Sequence, residues 1–254
     1  MTTPTEELVT ERRGAVLILR LNRPEARNAL TGSLLRGIGT AALEAEKDPE
    51  IRAIVLTGTG DRAFCAGMDL RAFAEGGDFS SEGFERLAGG SLAVPVIGAA
   101  NGTAIGGGLE LLLGCDIIVA STAAKFGLPE VKRGLFPGGG GTTIGTRIPL
   151  GIALEMTMTG DLITAQRAYE IGLVNAVASQ EDVLDVAVGY AERVAANAPL
   201  GLAACKELVR LSVSDAAAAK TRLAEQQAIV FSSNDAKEGA MAFIEKREPN
   251  WQGR

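Results

Sequence analysis

Two glutamates in this 254-residue chain stand in segments built for contact with a ligand. Glu110 closes the run Asn101-Gly-Thr-Ala-Ile-Gly-Gly-Gly-Leu-Glu110, and Glu130 closes Phe126-Gly-Leu-Pro-Glu130. A glycine cluster between a strand and a helix lets backbone approach a ligand closely, and its N–H groups share the positive end of the helix dipole. Glu130 lies among apolar residues and a proline, where burial raises a carboxyl group's affinity for its proton. Each glutamate also has a plainer reading. Glu110 suits tight packing with an acidic residue in a first helical turn, and Glu130 suits a surface ion pair with Lys132 or Arg133. A third stretch, Arg62-Ala-Phe-Cys-Ala-Gly-Met-Asp-Leu70, is a small-residue loop after a strand. It either offers free amides at a strand end or is a turn whose Asp69 caps the next helix.

Composition narrows the chemistry further. The chain has no histidine, which removes Ser-His-Asp and Cys-His catalysis, histidine-ligated zinc and imidazole acid–base work. Carboxylates, Lys, Tyr and backbone amides remain. Cys65, Cys115 and Cys205 are too dispersed for a disulfide framework or an all-cysteine metal site, and are expected reduced in the interior of a cytoplasmic protein. Lys and Arg number 25 against 31 Asp and Glu, a net charge of −6, so neither nucleic acid nor an anionic membrane is an expected partner. The N-terminal residues carry Glu6, Glu7 and Glu11 without an apolar run, and no signal peptide is expected. The uncharged stretch 87–109 has the length of a membrane span, but its glycines, Pro95 and Asn101 suit a buried strand–turn–helix better. The glycines match neither the dinucleotide fingerprint nor the P-loop.

These segments need elements to position them. Short branched-apolar runs predict strands at 15–21, 51–57, 94–99 and 116–120. Helices are predicted at 34–47, 106–113, 152–158 and 165–171, with a glycine-rich loop at 134–145. After residue 181 strand signals largely vanish, and helices are predicted at 181–197, 201–212, 216–231 and 236–247. Alternating strands and helices imply an α/β fold with mostly parallel pairing, and fully apolar strands imply a sheet covered on both faces. Aromatic residues make up only 4% of the chain, so Val, Ile, Leu and Ala must fill the core.

Taken together, the segments resemble the crotonase superfamily, also called the enoyl-CoA hydratase/isomerase family. The likeness runs through Leu21-Asn-Arg-Pro-Glu-Ala-Arg-Asn-Ala-Leu30, Ala63-Phe-Cys-Ala-Gly-Met-Asp69, residues 101–110, Cys115-Asp116, residues 126–141 and 162–174, and Phe243-Ile-Glu-Lys-Arg247. It implies a spiral of ββα units over 1–195 and a helical region over 196–254 that makes trimer contacts, in a homotrimer or a dimer of trimers. It also implies that the N–H groups of Ala66 and Gly107 hold a thioester oxygen as it becomes an enolate. Such fixed donors are typically worth a few kcal/mol of barrier each. By the same resemblance Glu110 orients and activates water while Glu130 exchanges the proton at Cα, with coupled titrations. Coenzyme A is expected along Ala26, Arg27 and Ala29 and along Ala66, Gly67, Met68, Asp69 and Leu70. Lys246 is a candidate phosphate contact, within the chain or across a subunit boundary. No metal and no cofactor beyond the substrate's own coenzyme A is implied.

The implied activity is syn addition of water to a trans-2-enoyl-CoA, giving a 3-hydroxyacyl-CoA, as in fatty acid β-oxidation. Two enzymes of the same family stand beside it. A Δ3-Δ2-enoyl-CoA isomerase needs mainly one carboxylate. A carnitinyl-CoA dehydratase-like enzyme shares the glutamate pair and the wording Leu-Pro-Glu-Val-Lys-Arg-Gly. A non-catalytic acyl-CoA-binding protein is the reading from another class, and such a protein has no need of the pair. The compact segment between Asp69 and Pro95 leaves acyl chain length open.

Overall fold

The computed structural model describes residues 6–254. Its first strand, β1 (Leu8–Arg13), pairs antiparallel with β2 (Val16–Leu21). Helix α1 (Gly32–Lys47) begins where the Thr31 hydroxyl accepts the Leu34 amide. This cap, and not the first leucine, sets the start two residues ahead of the predicted helix. Three passes of one pattern follow, each a strand in a large sheet and a strand in a small one, then helix. The first is β3 (Ala53–Gly58), β4 (Ala63–Cys65), α2 (Leu70–Ala74) and α3 (Glu82–Ala88). The second is β5 (Val96–Ala100), β6 (Thr103–Ile105) and α4 (Gly107–Gly114). The third is β7 (Ile117–Ser121) and β8 (Lys125–Gly127), then short 3-10 helices at Pro129–Arg133 and Gly141–Thr146, then α5 (Leu150–Thr159). The chain continues through β9 (Ile163–Thr164), α6 (Ala165–Glu170), β10 (Ala176–Ala178) and α7 (Val183–Ala195). It ends in α8 (Pro199–Ser214), α9 (Ala216–Ser232) and α10 (Asn234–Glu245). The α/β spiral of ββα units with a helical C-terminal region is therefore the observed fold. No helix among the described residues is long and apolar enough to cross a membrane.

The large sheet runs β1-β2-β3-β5-β7-β10 and is parallel except at β1. Every residue of β3 and β5 is buried. Alternate side chains serve opposite faces. Ile54, Leu56 and Val96 join the core under α1 and α4. Ala53, Val55, Ile97 and Ala99 meet Val183, Ala187, Val188 and Ala191 of α7. The small sheet, β4-β6-β8-β9, is parallel across its first three strands. These pieces are two or three residues long, too short to show any period, and together with β1 and β10 they lie beyond the predicted strands. Cys65 and Cys115 are buried, whereas Cys205 is exposed on α8. This corrects the expectation that all three lie inside.

Two buried amides tie the crossing from large sheet to small. Asn101 Oδ1 accepts the Gly58 N–H (2.9 Å) and its Nδ2 donates to Gly60 O (2.7 Å). Asn28, fully buried, accepts the Arg23 N–H (2.9 Å) and donates to Thr59 O (3.0 Å) and Ala63 O (2.9 Å). Asn28 also holds φ +55°, a left-handed conformation that Asn tolerates better than most side chains. Asn28→Ala strands one buried and two half-buried backbone groups, so thermal or urea unfolding is expected to show a loss of about 2–4 kcal/mol.

Candidate active site

The three segments singled out in the sequence leave the same end of three adjacent parallel strands. Ala66, Gly67 and Met68 follow β4, Gly106 and Gly107 follow β6, and Leu128, Pro129 and Glu130 follow β8. Ligand sites of open α/β sheets form outside such carboxyl ends. Close approach at this point depends on missing side chains. A Cβ on Gly108 would overlap the Cys65 carbonyl, and one on Gly106 would lie 3.0 Å from Glu130 Oε1. Gly106 itself has φ +54° and ψ −130°, a region that side-chain-bearing residues avoid.

Glu110 stands in the first turn of α4 and is buried. Its Oε1 accepts the N–H groups of Gly139 (2.8 Å) and Gly141 (2.9 Å). A buried carboxylate held by two amides and a helix N-terminus is a fixed charge with one oxygen left for other partners. The side chain of Glu130 is half-buried, and its Oε2 is sealed from solvent without a hydrogen-bond partner. Burial first, and then the charge of Glu110, raise the Glu130 pKa above the ordinary carboxylate range. Neither basic neighbour forms an ion pair with it among the described residues, and Lys132 is taken by Asp161 at 2.6 Å. The surface-pair reading of Glu130 therefore fails, and its orphaned oxygen points to a ligand.

The amides require a correction. Ala66 N–H donates to Arg27 O (3.0 Å) and is not available to an oxyanion. Gly67, at φ +89°, turns the chain between Ala66 and Met68. Leu30 N–H then donates to Gly67 O (2.8 Å) and Asp69 N–H to Leu30 O (2.9 Å), a bridge that leaves the Met68 N–H outside it. Neither Met68 N–H nor Gly107 N–H has a partner among the described residues. A Cβ on Gly107 would lie 3.6 Å from Met68 N, so the two free donors are neighbours. Sequence reasoning fell two residues short because it had no signal for the turn at Gly67. The glycine amides that hold Glu110 were also missed, although the run Gly138-Gly-Gly-Gly141 marked a backbone meant to touch something.

The expected coenzyme-binding residues divide into a joined group and an outlier. Ala26, Arg27 and Ala29 are laced to Ala66, Gly67, Met68, Asp69 and Leu70 through the bonds just described and through Arg23. The guanidinium of Arg23 donates to Ala29 O (2.6 Å) and pairs with Asp69 (3.0 Å). Asp69 caps α2 by accepting the Arg71 and Ala72 amides. The Ala72 amide first, and then Arg23, hold its carboxyl below the usual range. Lys246 instead closes α10 at φ +56°, exposed, and no hydrogen bond or ion pair among the described residues joins its side chain to these segments. Cys65, just before the loop, is fully buried, and burial pushes its thiol up to about 12.

A proline at position 68 removes the free amide, and Met68→Ala controls for the loss of the side chain. Met68→Pro is expected to lower kcat about 10²–10³-fold, while Met68→Ala stays within a few-fold of the parent, as read by steady-state kinetics.

Known proteins carry the same plan. Residues 11–254 match the family model described as enoyl-CoA hydratase/isomerase. The chain is similar to carnitinyl-CoA dehydratase of Proteus mirabilis (strain HI4320), with 41% identity over 95% of this chain and 97% of that protein. It is similar to the crystal structure of enoyl-CoA hydratase from Mycobacterium tuberculosis H37Rv, with TM-score 0.91 and 43% identity over 98% of this chain and 100% of that one. A carnitinyl-CoA hydratase from Mycobacterium avium matches with TM-score 0.78 and 40% identity over 98% of this chain and 100% of that chain.

Proposed function

The chain belongs to the enoyl-CoA hydratase/isomerase family, and from that premise we propose that it adds water syn across a trans-2-enoyl-CoA to give a 3-hydroxyacyl-CoA. The observation that carries this reading is the meeting of two carboxylates, Glu110 anchored and Glu130 unpartnered, beside a pair of free amides. The N–H groups of Met68 and Gly107 receive the thioester oxygen, whose charge grows as the enolate forms. Glu110 orients a water through its free oxygen and draws off the proton as the water oxygen bonds to Cβ. The enolate collapses as Cα takes a proton from Glu130, and proton exchange between the carboxyls and solvent restores the pair. The reverse sequence is dehydration. Every step runs on carboxylates and amides, in keeping with a chain that has no histidine.

Coenzyme A lies along Ala26, Arg27 and Ala29 and along the 66–70 loop. The apolar faces of α9 and α10, with Leu223, Ile229, Phe231, Met241, Phe243 and Ile244 exposed, supply the contacts of a homotrimer or a dimer of trimers. In that assembly Lys246 reaches a phosphate only across a subunit boundary. A second reading, dehydration of a carnitinyl-type thioester, is favoured by the relatives named for that activity and uses the same residues.

Loss of the enoyl-thioester absorbance of crotonyl-CoA is the direct test. Glu130→Gln and Glu110→Gln are each expected to slow it by at least 10²-fold with the fold intact by circular dichroism. Full hydration by Glu110→Gln overturns the two-carboxylate mechanism, and no turnover of crotonyl-CoA by the parent moves the assignment to another acyl group.

Exchange of the Cα protons of butyryl-CoA in deuterated water isolates Glu130, which must be ionised to accept the proton. A raised pKa means that this carboxylate is present above the pKa and lost as pH falls through it. The acid limb of the exchange profile is therefore expected above the ordinary value near 4.3. Glu110→Gln should move the limb down without restoring the ordinary value, because burial is the larger cause.

A further inference from the structure

A cavity of about 740 Å³ opens behind the catalytic elements, against α8, the starts of β5 and β7, and the turn Gly141–Thr146. It lies at the carboxyl end of α4, whose other end carries Gly107 and Glu110. Its charged lining is three cations, Arg147, Lys206 and Arg210, around one carboxylate, Asp116. Lys206, only 8% exposed, pairs with Asp116 Oδ2 at 2.8 Å and donates to Val94 O at 3.0 Å. Arg210 donates to Asp116 Oδ1 through Nη2 (2.8 Å) and Nε (3.2 Å), and to Gly114 O (2.9 Å). Arg147 Nη2 donates to Cys115 O. Asp116 Oδ2 also accepts the Val96 N–H at 2.8 Å, so the one carboxylate is saturated.

The cations are not saturated. Arg147 Nε and Nη1 and Arg210 Nη1 have no partner among the described residues, and none of them is sealed from solvent. Glu46, the next carboxylate, is held by Arg86 (2.7 Å) and the Ala93 amide (2.7 Å). Burial, and then the charge of Arg210, lower the proton affinity of Arg147, as expected of a cation short of counter-charge. The same helix that carries Lys206 and Arg210 also supplies apolar lining. Leu202, Val209 and Val213 lie on one side of α8, and the two valines are 66% and 60% exposed.

From the unpaired guanidinium donors beside the apolar residues of α8, we propose that this cavity binds an aliphatic carboxylate, the free acid of a medium-length acyl chain. The head group sits between the guanidinium groups of Arg147 and Arg210 and takes charge-assisted hydrogen bonds from their free N–H donors. The tail lies along Leu202, Val209 and Val213, removing apolar surface from water. The cavity volume falls in the usual range of small-molecule sites, about 300–1,000 Å³. A bare phosphate satisfies the donors but leaves the valines wet. Hydrolysis of acyl thioesters releases this class of molecule, although the site does not depend on the proposed reaction.

Isothermal titration of octanoate into the purified 254-residue chain tests this, with acetate and inorganic phosphate as comparators. Octanoate is expected to saturate one site per chain at least 10-fold more tightly than either, and equally well with butyryl-CoA present. Val213→Glu, on the open lip, should weaken octanoate at least 10-fold while crotonyl-CoA hydration is unchanged, and Arg147→Gln should weaken it similarly. The proposal is overturned by displacement of octanoate with butyryl-CoA, by equal phosphate binding, by wild-type affinity in Val213→Glu, or by no saturable binding. Because binding is read without turnover, a failed hydration assay leaves this result interpretable.

Discussion

The grip of two glycine amides on Glu110 (2.8 and 2.9 Å) is the contact around which the rest of the molecule is arranged. A buried carboxylate without such donors would take up a proton or expose itself. Holding it requires the 139–141 backbone to pass within hydrogen-bonding distance of α4. That approach is open only to residues without side chains, since a Cβ at Gly139 would lie 2.7 Å from Glu110 Oε2. The charge of Glu110 in turn adds to burial, the larger cause, in raising the proton affinity of its unanchored neighbour Glu130. The asymmetry is chemically useful: one carboxylate is held still by backbone amides, the other, with its pKa raised, is suited to trade a proton.

The small sheet brings the remaining parts to this pair. Each of β4, β6 and β8 is too short to be stable alone, and each is held by continuity with a buried or nearly buried strand of the large sheet. Asn28 and Asn101 lock the crossing, and the loops that follow inherit their positions from it. Precision at the site therefore comes from the body of the protein and not from the loops themselves.

Legibility in the sequence followed the length of each signal. The apolar runs behind β2, β3, β5 and β7, and the amphipathic stretches behind α1 and α7, are long enough to show burial on two faces or one. Glu110 and Glu130 could be picked out because their flanking glycines and prolines are unusual. The small-sheet strands had no period to display. The free amide at Met68 was invisible for another reason: which N–H a loop leaves unbonded depends on its partner strand, here the bridge at Leu30, and no local residue type records that. Lys246 was placed by the resemblance alone, and its surroundings within one chain give it no ligand-facing role.

The burial of Cys65 carries a last consequence. It is the residue immediately before the loop that offers the Met68 amide, and its Sγ lies 4.0 Å from the Gly67 carbonyl oxygen. A thiolate in that position invites transthioesterification, in which the acyl group migrates to the protein and free coenzyme departs. With the thiol fully enclosed and its pKa pushed up to about 12, that nucleophile is absent at neutral pH. The same enclosure makes Cys65 a poor target for alkylating reagents, whereas Cys205, exposed on α8, is the thiol through which a label can be attached.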